Sequence, residues 1–446
     1  MTKQVDYSLK HRSEPLFRVT KRDNLDKWKI ALLYIGAILV ALIIGAILLA
    51  FLKVNPFEFY LNTFTIGLIG NKIPATIISN FINTFVPLLI TSLGLSLAFK
   101  MKFWNIGGEG QFIIGAIVAT SIGIGLGDKI NGFFLVILMC LMGGISAGIY
   151  GLITAVFKVK FGTSETLLTL MFNYIALYLL VFFGQNKGGW NILLDKESER
   201  PKYASISENA EMWSIKLGKL DINLTLIIGI ILVVLLFIYY KKTKQGYEIS
   251  VVGDSHNTAK YAGMNVSRII LRTVFLSAFI VGLAGAFKIT SSAHTLSDSI
   301  TGDVGWTGIV VAWLGQLSPL GILLVAFLLA VLQFGISTAS STHSNLDANF
   351  ADLLQGVILF AVLAVHFLIN YKIVVNTDKF KAKKIAKLKL QGFEIIDLTL
   401  NKNSSGKSED SDNVVEVSHN ADDESESLAE TQVCAEIGKQ IEGGKE

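Results

Sequence analysis

Asn105, Gly107, Gly108, Glu109, Gly110 and Gln111 stand together in KFWNIGGEGQFIIGA, residues 102–116, directly before an apolar run. Two amides and a carboxylate spaced by glycines can give and take hydrogen bonds where a helix is interrupted. They have no His, Cys or Ser neighbour with catalytic spacing. Gln111 and Phe112 follow the glycines where a phosphate-cradling GxxxxGK[ST] loop would carry Lys and Ser or Thr, so this is no nucleotide site. A carboxylate at membrane depth costs roughly 2.5 kcal/mol or more, so Glu109 needs a partner. A basic group would serve, and so would the free N–H groups of a helix N-terminus. Holding a broken helix and touching a transported solute are the two uses open to it, the first being the commoner.

Glu165 and Asn173 are a second pair, eight residues apart and therefore near one face of a helix after about two turns. Both are expected to face protein rather than lipid. Asn173 suits either solute contact or an interhelical hydrogen bond; Glu165, near the helix end, suits a structural or gating role. Neither Cys140 nor Cys434 sits in a CxxC or Cys/His cluster, so no metal or other cofactor is expected.

The elements that must position these groups are membrane helices. The chain has 446 residues, is 52% hydrophobic and only 17% charged, with a mean hydropathy of +0.54, whereas soluble domains carry about 25% charged residues. Apolar segments of the length that crosses a hydrocarbon core of roughly 30 Å recur along it. Ten are expected, at 30–52, 78–99, 112–127, 131–157, 164–184, 222–240, 269–290, 305–317, 319–340 and 350–371. The short ones, 112–127 and 305–317, flank Gly-rich or Pro-containing breaks and read as half-helices or re-entrant pieces. The fold class is all-α, a polytopic membrane protein of about ten transmembrane helices.

Lys and Arg crowd residues 1–29, then recur at Lys100/Lys102, Lys158/Lys160, Lys241/Lys242/Lys244, Lys260/Arg268/Arg272 and from Lys372 to Lys389. With ten spans every cluster falls on one side, which places both termini in the cytoplasm. Residues 185–221 form a longer polar loop on the external side. The expected organisation is a basic segment 1–29, a transmembrane domain 30–371, a basic juxtamembrane segment 372–402 that can lie along anionic membrane lipids, and a disordered acidic tail 403–446.

One cytoplasmic connection is unlike a turn. KQGYEISVVGDSHNTAKYAGMNVSRIILR, residues 244–272, contains a compact helical phrase from Ser255 to Ala262, with Asp254 or Ser255 as N-cap and Gly263 as its stop. Ala259, Ala262 and Tyr261 could dock into a groove on another protein; an ordinary amphipathic surface helix fits equally. His256, alone in a polar loop, reads as a surface residue.

The stretch GYEISVVGDSHNTAKYAGMNVSRII resembles the coupling-helix loop of permease subunits of bacterial ATP-binding-cassette importers, in the ribose/simple-sugar and nucleoside branch. FWNIGGEGQFIIGA, SETLLTLMFNYIALYLL and GDVGWTGIVVAWLGQLSPLGI resemble three further segments of that branch, in the same order from about residue 30 to 371, and together are most similar to its nucleoside-type members. Ser164, where Asn is common, Phe172, where Leu is common, and the acidic tail depart from the pattern.

The resemblance implies an importer-permease fold and a non-catalytic transport subunit in the inner membrane, moving nucleosides, or alternatively a simple sugar such as ribose or galactose. The implied partners are ATPase subunits that hydrolyse ATP, a second permease chain in a heterodimer rather than a homodimer, and an external substrate-binding protein or lipoprotein; nucleic acid is not among them. Coupling to the ATPase would fall to the loop 244–268, through Gly246, Gly253, Asp254, His256, Asn257, Ala259, Lys260, Tyr261, Ala262 and Gly263. The translocation path or gate would use Asn105, Glu109, Gln111, Glu165, Asn173, Trp306, Trp313 and Gln333, the last three because aromatic faces and an amide suit a flat, hydrogen-bonding base. Trp306 suits a membrane-interface belt as well. An ion-coupled secondary transporter is the rival reading, but it calls for paired intramembrane carboxylates or inverted repeats. A membrane-bound enzyme would need a catalytic cluster that the sequence lacks.

Overall fold

The computed structural model describes residues 17–21, 26–68, 74–127, 129–185, 193–195, 202–217, 220–342, 371–375, 394–396 and 416–418, with short helical pieces between 353 and 369. Two compact units divide the chain, Asp26–Phe367 and a smaller one made of Met1–Leu25 with Leu368–Glu446. In the smaller unit, β1 (Phe17–Lys21) pairs antiparallel with a strand at Tyr371–Val375, and Glu394–Ile396 pairs with Glu416–Ser418. The rest of the expected acidic tail lies outside the described residues.

The larger unit is helical. Its helices are α1 (Lys27–Phe51), α2 (Pro56–Leu68), α3 (Pro74–Lys100), α4 (Gly108–Leu126), α5 (Gly132–Phe161), α6 (Glu165–Gln185), α7 (Leu224–Lys242), α8 (Lys244–Asp254), α9 (His256–Tyr261), α10 (Val266–Lys288), α11 (Val304–Leu314) and α12 (Pro319–Thr342). Seven of them carry stretches long and apolar enough to cross a membrane, and Leu39–Phe51 and Val304–Leu314 are shorter apolar helices. The chain is a multi-pass helical membrane protein. Nine of the ten expected segments fall on these helices; the last, 350–371, lies largely outside the described residues. Helix α2, outside the ten expected segments, starts on Pro56, a residue whose fixed φ and missing N–H suit the first helical turn.

α10 is the centre of the bundle and packs against α5, α4 and α3. In lipid the attraction between helices comes from close packing rather than from escape from water, so small residues mark the contacts. Gly115 of α4, Gly143 of α5 and Gly282 of α10 meet backbone to backbone at this crossing, and a Cβ on Gly282 would collide with Ala147 and sit 2.7 Å from the Gly143 carbonyl. Around it Phe99, Phe112, Leu88, Leu89, Leu93 and Val281 are buried.

Helix ends are set by local side chains. Asn131, Thr243, Ser255 and Asn265 cap α5, α8, α9 and α10 by accepting from backbone N–H groups in the first turn. α10 runs into a π-turn at Ile289–Ala293 and stops at His294, which has a left-handed φ of 55°. α11 follows after a short irregular loop. With 11 residues it is about 16 Å long, half the thickness of a hydrocarbon core.

Candidate functional site

The polar segment 105–111 is buried, and every polar side chain in it is paired. Asn105 and Gln111 exchange side-chain hydrogen bonds, Nδ2 to Oε1 at 3.2 Å and Nε2 to Oδ1 at 3.1 Å, while Asn105 Oδ1 also accepts from the Gly107 N–H. Asn173 of α6 reaches across: its Oδ1 accepts from the Gly110 N–H at 2.8 Å and its Nδ2 donates to the Ile106 carbonyl at 2.9 Å. Thr169, one turn earlier, accepts from the Ile106 N–H at 3.1 Å. The backbone groups freed where α3 gives way to α4 are thus satisfied by α6, as an interrupted helix in a membrane requires.

Glu109 completes the junction on the other side. Its Oε1 accepts from the Gly305 N–H at 2.9 Å and, more weakly, from the Trp306 N–H at 3.4 Å. Those are the second and third N–H groups of α11, whose own N-cap residue, Asp303, has a left-handed φ of 57° and makes no side-chain cap. The carboxylate of one helix therefore caps the half-helix of another. Of the two partners open to Glu109, the helix N-terminus is the one present. Gly305 permits the approach, since a Cβ there would lie 2.9 Å from the Glu109 Cγ.

Glu165 stands apart from this network and pairs with Lys158 at the end of α5. Trp313 packs against Trp104, with ring centroids 5.3 Å apart, and against Phe99 at 5.7 Å. Trp306 keeps 42% of its surface exposed. Gln333 lies elsewhere again, in a cavity of about 240 Å³ between α3, the end of α10, the 299–304 loop and α12. Trp306, Trp313 and Gln333 are therefore not one lining. Lys288, also in the cavity wall, donates to the Asn83 carbonyl at 3.3 Å. Lys288 is not among the residues singled out from the sequence, although a cation inside the apolar run 269–290, at the opposite end from Arg272, is the kind of residue that marks a pathway. Thr169 carried no such signal.

The cavity sits toward one end of the bundle. Asn223, which starts α7, bonds to the Asn83 side chain at 3.0 Å, and Lys241 and Lys242 lie at the other end of α7. Beside the cavity, residues 202–213 strap over 290–298: the Ile206 N–H donates to the His294 carbonyl, the Met212 N–H to the Thr290 carbonyl, and the Tyr203 hydroxyl to Asp298 at 2.7 Å. Burial, together with the Asp298 carboxylate, pushes the Tyr203 phenol well above its ordinary pKa.

At the basic end, α8 and α9 make the connection from α7 to α10. Ser255 caps α9 by accepting from the Thr258 N–H, and Gly263 ends the turn with a φ of 75°, in agreement with the expected cap and stop. The expected coupling residues divide into two sets. Gly246, Gly253 and Ala259 are buried, Gly246 and Gly253 pressed against the backbone of Tyr239–Tyr240 and of Lys100. Asp254, His256, Asn257, Lys260, Tyr261, Ala262 and Gly263 are exposed, Tyr261 by 93%. α8 itself, a helix where a loop is expected, is fastened to the bundle: Arg272 of α10 pairs with Glu248 at 3.0 Å, and Lys102 donates to the Asp254 carbonyl at 3.5 Å. No group of His, Cys, Asp and Glu side chains able to hold a metal occurs among the described residues.

Residues 77–363 match the family model described as "Branched-chain amino acid transport system / permease component". The chain is 30% identical over 339 residues to the nucleoside ABC transporter permease protein NupB of Lactococcus lactis subsp. cremoris (strain MG1363), covering 75% of this chain and 90% of that one. It is 28% identical over 287 residues to the guanosine ABC transporter permease protein NupP of Bacillus subtilis (strain 168), covering 63% and 79%. The glucose ABC transporter permease protein TsgB13 of Haloferax volcanii is 25% identical over 354 residues, covering 77% and 89%. No solved structure matches the chain.

Proposed function

This chain belongs to the permease family described as branched-chain amino acid transport system / permease component, and on that premise we propose that it is the membrane-spanning subunit of an ATP-driven importer that carries nucleosides across the cytoplasmic membrane by alternating access. It hydrolyses nothing itself. Separate ATPase subunits supply the motion, a second permease chain completes the pathway, and an external binding protein delivers the solute. The Lys and Arg clusters in the short loops, among them those flanking the α8–α9 connection, support a cytoplasmic place for that connection.

The observation that carries the ATP-driven reading is the α8–α9 connection, exposed on its outer face and fastened on its inner one. A motor gripping Lys260 and Tyr261 on α9 would push on α8, which directly precedes it and is tied to α10 by Glu248–Arg272 and to the end of α3 by Lys102. α3 and α10 are also the helices that bring Asn83 and Lys288 to the cavity at the other end. A rigid shift at the loop would therefore move the cavity walls. Only differential contact with the two motor states can shift such an equilibrium, so the exposed residues must fit the ATPase groove better in one state. In this account the Glu109 junction holds α11 as a fixed half-helix against which α3 and α10 move.

The nucleoside reading is supported by the similarity to NupB along nine-tenths of its length; the weaker similarity to TsgB13 supports a simple sugar as the alternative. The test is uptake into proteoliposomes containing the chain with its partner subunits and binding protein. Nucleoside entry that requires ATP is expected. Entry of ribose or glucose alone would select the sugar reading, and uptake that persists without any ATPase subunit would select an ion-coupled transporter.

A further inference from the structure

Among the described residues that wall the cavity between α3, α10, the 299–304 loop and α12, Lys288 is the only charged one. It stands there with Asn83, Thr84, Ser299 and Ser337, and its Nζ donates to the Asn83 carbonyl of α3 at 3.3 Å. Among the described residues no carboxylate pairs with it. The nearest acids along the chain, Asp298 and Asp303, are not part of the wall, and Asp298 accepts from the Tyr203 hydroxyl. Lys288 also lies 16 residues beyond Arg272 on α10, about 24 Å along the helix, so it is no part of the basic end of the bundle. Ser299, Gly302 and Ser337 are exposed, which opens the space to the surroundings. The volume is about 240 Å³; a sphere of that size is about 8 Å across, no more than the Debye length at physiological salt. The lysine's charge is therefore felt throughout the cavity without any contact.

We infer that this cavity is the mouth of the solute pathway and that Lys288 sets its charge selectivity, admitting neutral and anionic solutes and turning back cations. The inference rests on the importer reading above and deepens it. An amide at this position would supply hydrogen-bond donors without the cost of a charge at membrane depth; what a lysine adds is its sign. The need for that sign follows from the transport task. Nucleosides are neutral, and a passage wide enough for them is wide enough for inorganic cations, which the membrane potential drives inward. A fixed positive charge at a narrow point is a barrier of the kind that lets a pore pass neutral solutes and refuse cations. No bond to the solute is required, so the barrier is blind to which base or sugar passes.

The experiment places a reporter thiol in the wall by Ser337→Cys, in a Cys434→Ser chain whose remaining Cys140 is buried, and purifies the complex with its partner subunits. An anionic and a cationic methanethiosulfonate of similar size, the ethylsulfonate and the ethyltrimethylammonium, are compared. Their reaction rates are followed on this chain by mass spectrometry and divided by their rates with mercaptoethanol. The anionic reagent is expected to be favoured about tenfold or more, the order of preference between signs that a unit charge produces at about 8 Å. Lys288→Met should bring the ratio close to one and Lys288→Glu should invert it, while Lys288→Arg, which keeps the charge, should retain it. In all three the ATPase subunits should still co-purify. A parallel measurement in proteoliposomes holding the full complex and binding protein compares ATP-driven entry of adenosine with that of 1-methyladenosine, which is cationic at neutral pH. Lys288→Met should raise entry of the cation relative to adenosine about tenfold. An unchanged reagent ratio in Lys288→Met, no reaction of Ser337→Cys with either reagent, or an unchanged ratio of the two solutes overturns the inference and leaves the importer reading standing. No ATP-driven entry of adenosine overturns the nucleoside reading instead, and the reagent ratio alone then decides the charge of the cavity.

Discussion

The junction at residues 105–111 and the connection at 244–263 are both polar interruptions in an apolar chain, yet they are built in opposite ways. In the junction Asn105, Glu109, Gln111 and Asn173 are all buried and all hydrogen-bonded, and their partners are backbone groups or one another. In the connection only the inner face is anchored, by Glu248–Arg272 and by the capping residues, while Asp254, His256, Asn257, Lys260 and Tyr261 project outward. Complete pairing in a low-dielectric interior fixes one geometry, because each loosened group would stand unsatisfied. Exposed, unengaged side chains fix nothing until a partner arrives. The lesson is a division of labour: the junction holds α11 still, and the connection is where force can enter.

Substitutions sharpen this contrast, beginning with the largest expected effect. Gly305→Leu would drive a side chain into the Glu109 backbone and should cost about 3 kcal/mol, seen as loss of folded protein from detergent extracts. Glu109→Gln keeps the shape and removes the charge from the α11 N-terminus; a loss of about 1 kcal/mol should appear as a lower melting temperature, together with nucleoside uptake well below wild type despite unimpaired ATPase binding. A double-mutant cycle between Asn105→Ala and Gln111→Ala should give a coupling of about 0.5–3 kcal/mol in the same melting assay, and strict additivity would break the picture of a rigid network. At the small end, Tyr261→Ala should leave the melting temperature of the chain unchanged, because that ring touches little of its own protein. If Tyr261→Ala destabilised the isolated chain as much as Glu109→Gln does, the contrast between the two regions would be wrong.

Much of this was legible in the sequence because it rests on local chemistry. Length and hydropathy located nine of the apolar helices, and Asp254 or Ser255 as cap with Gly263 as stop bounded α9, Ser255 being the residue that caps it. The cost of a carboxylate in lipid required that Glu109 have a partner. Which partner it has was not legible, because the α11 N-terminus is nearly two hundred residues away and only tertiary packing brings it close. For the same reason Trp306, Trp313 and Gln333, all in late apolar segments, could be grouped in the sequence and yet separate in space: Trp313 belongs to an aromatic cluster with Trp104 and Phe99, and only Gln333 reaches the cavity. Gly246 and Gly253 were expected among the coupling residues; α8 is a helix, and the two glycines let it lie against its neighbours.

The most direct test of the central claim, that force entering at the exposed face of α9 drives the gate, uses proteoliposomes holding the full complex with a Lys260→Glu, Tyr261→Ala chain. The account predicts that this chain folds and melts like wild type but binds the ATPase subunits weakly and supports little ATP-driven nucleoside uptake. Wild-type uptake with wild-type ATPase attachment would contradict it.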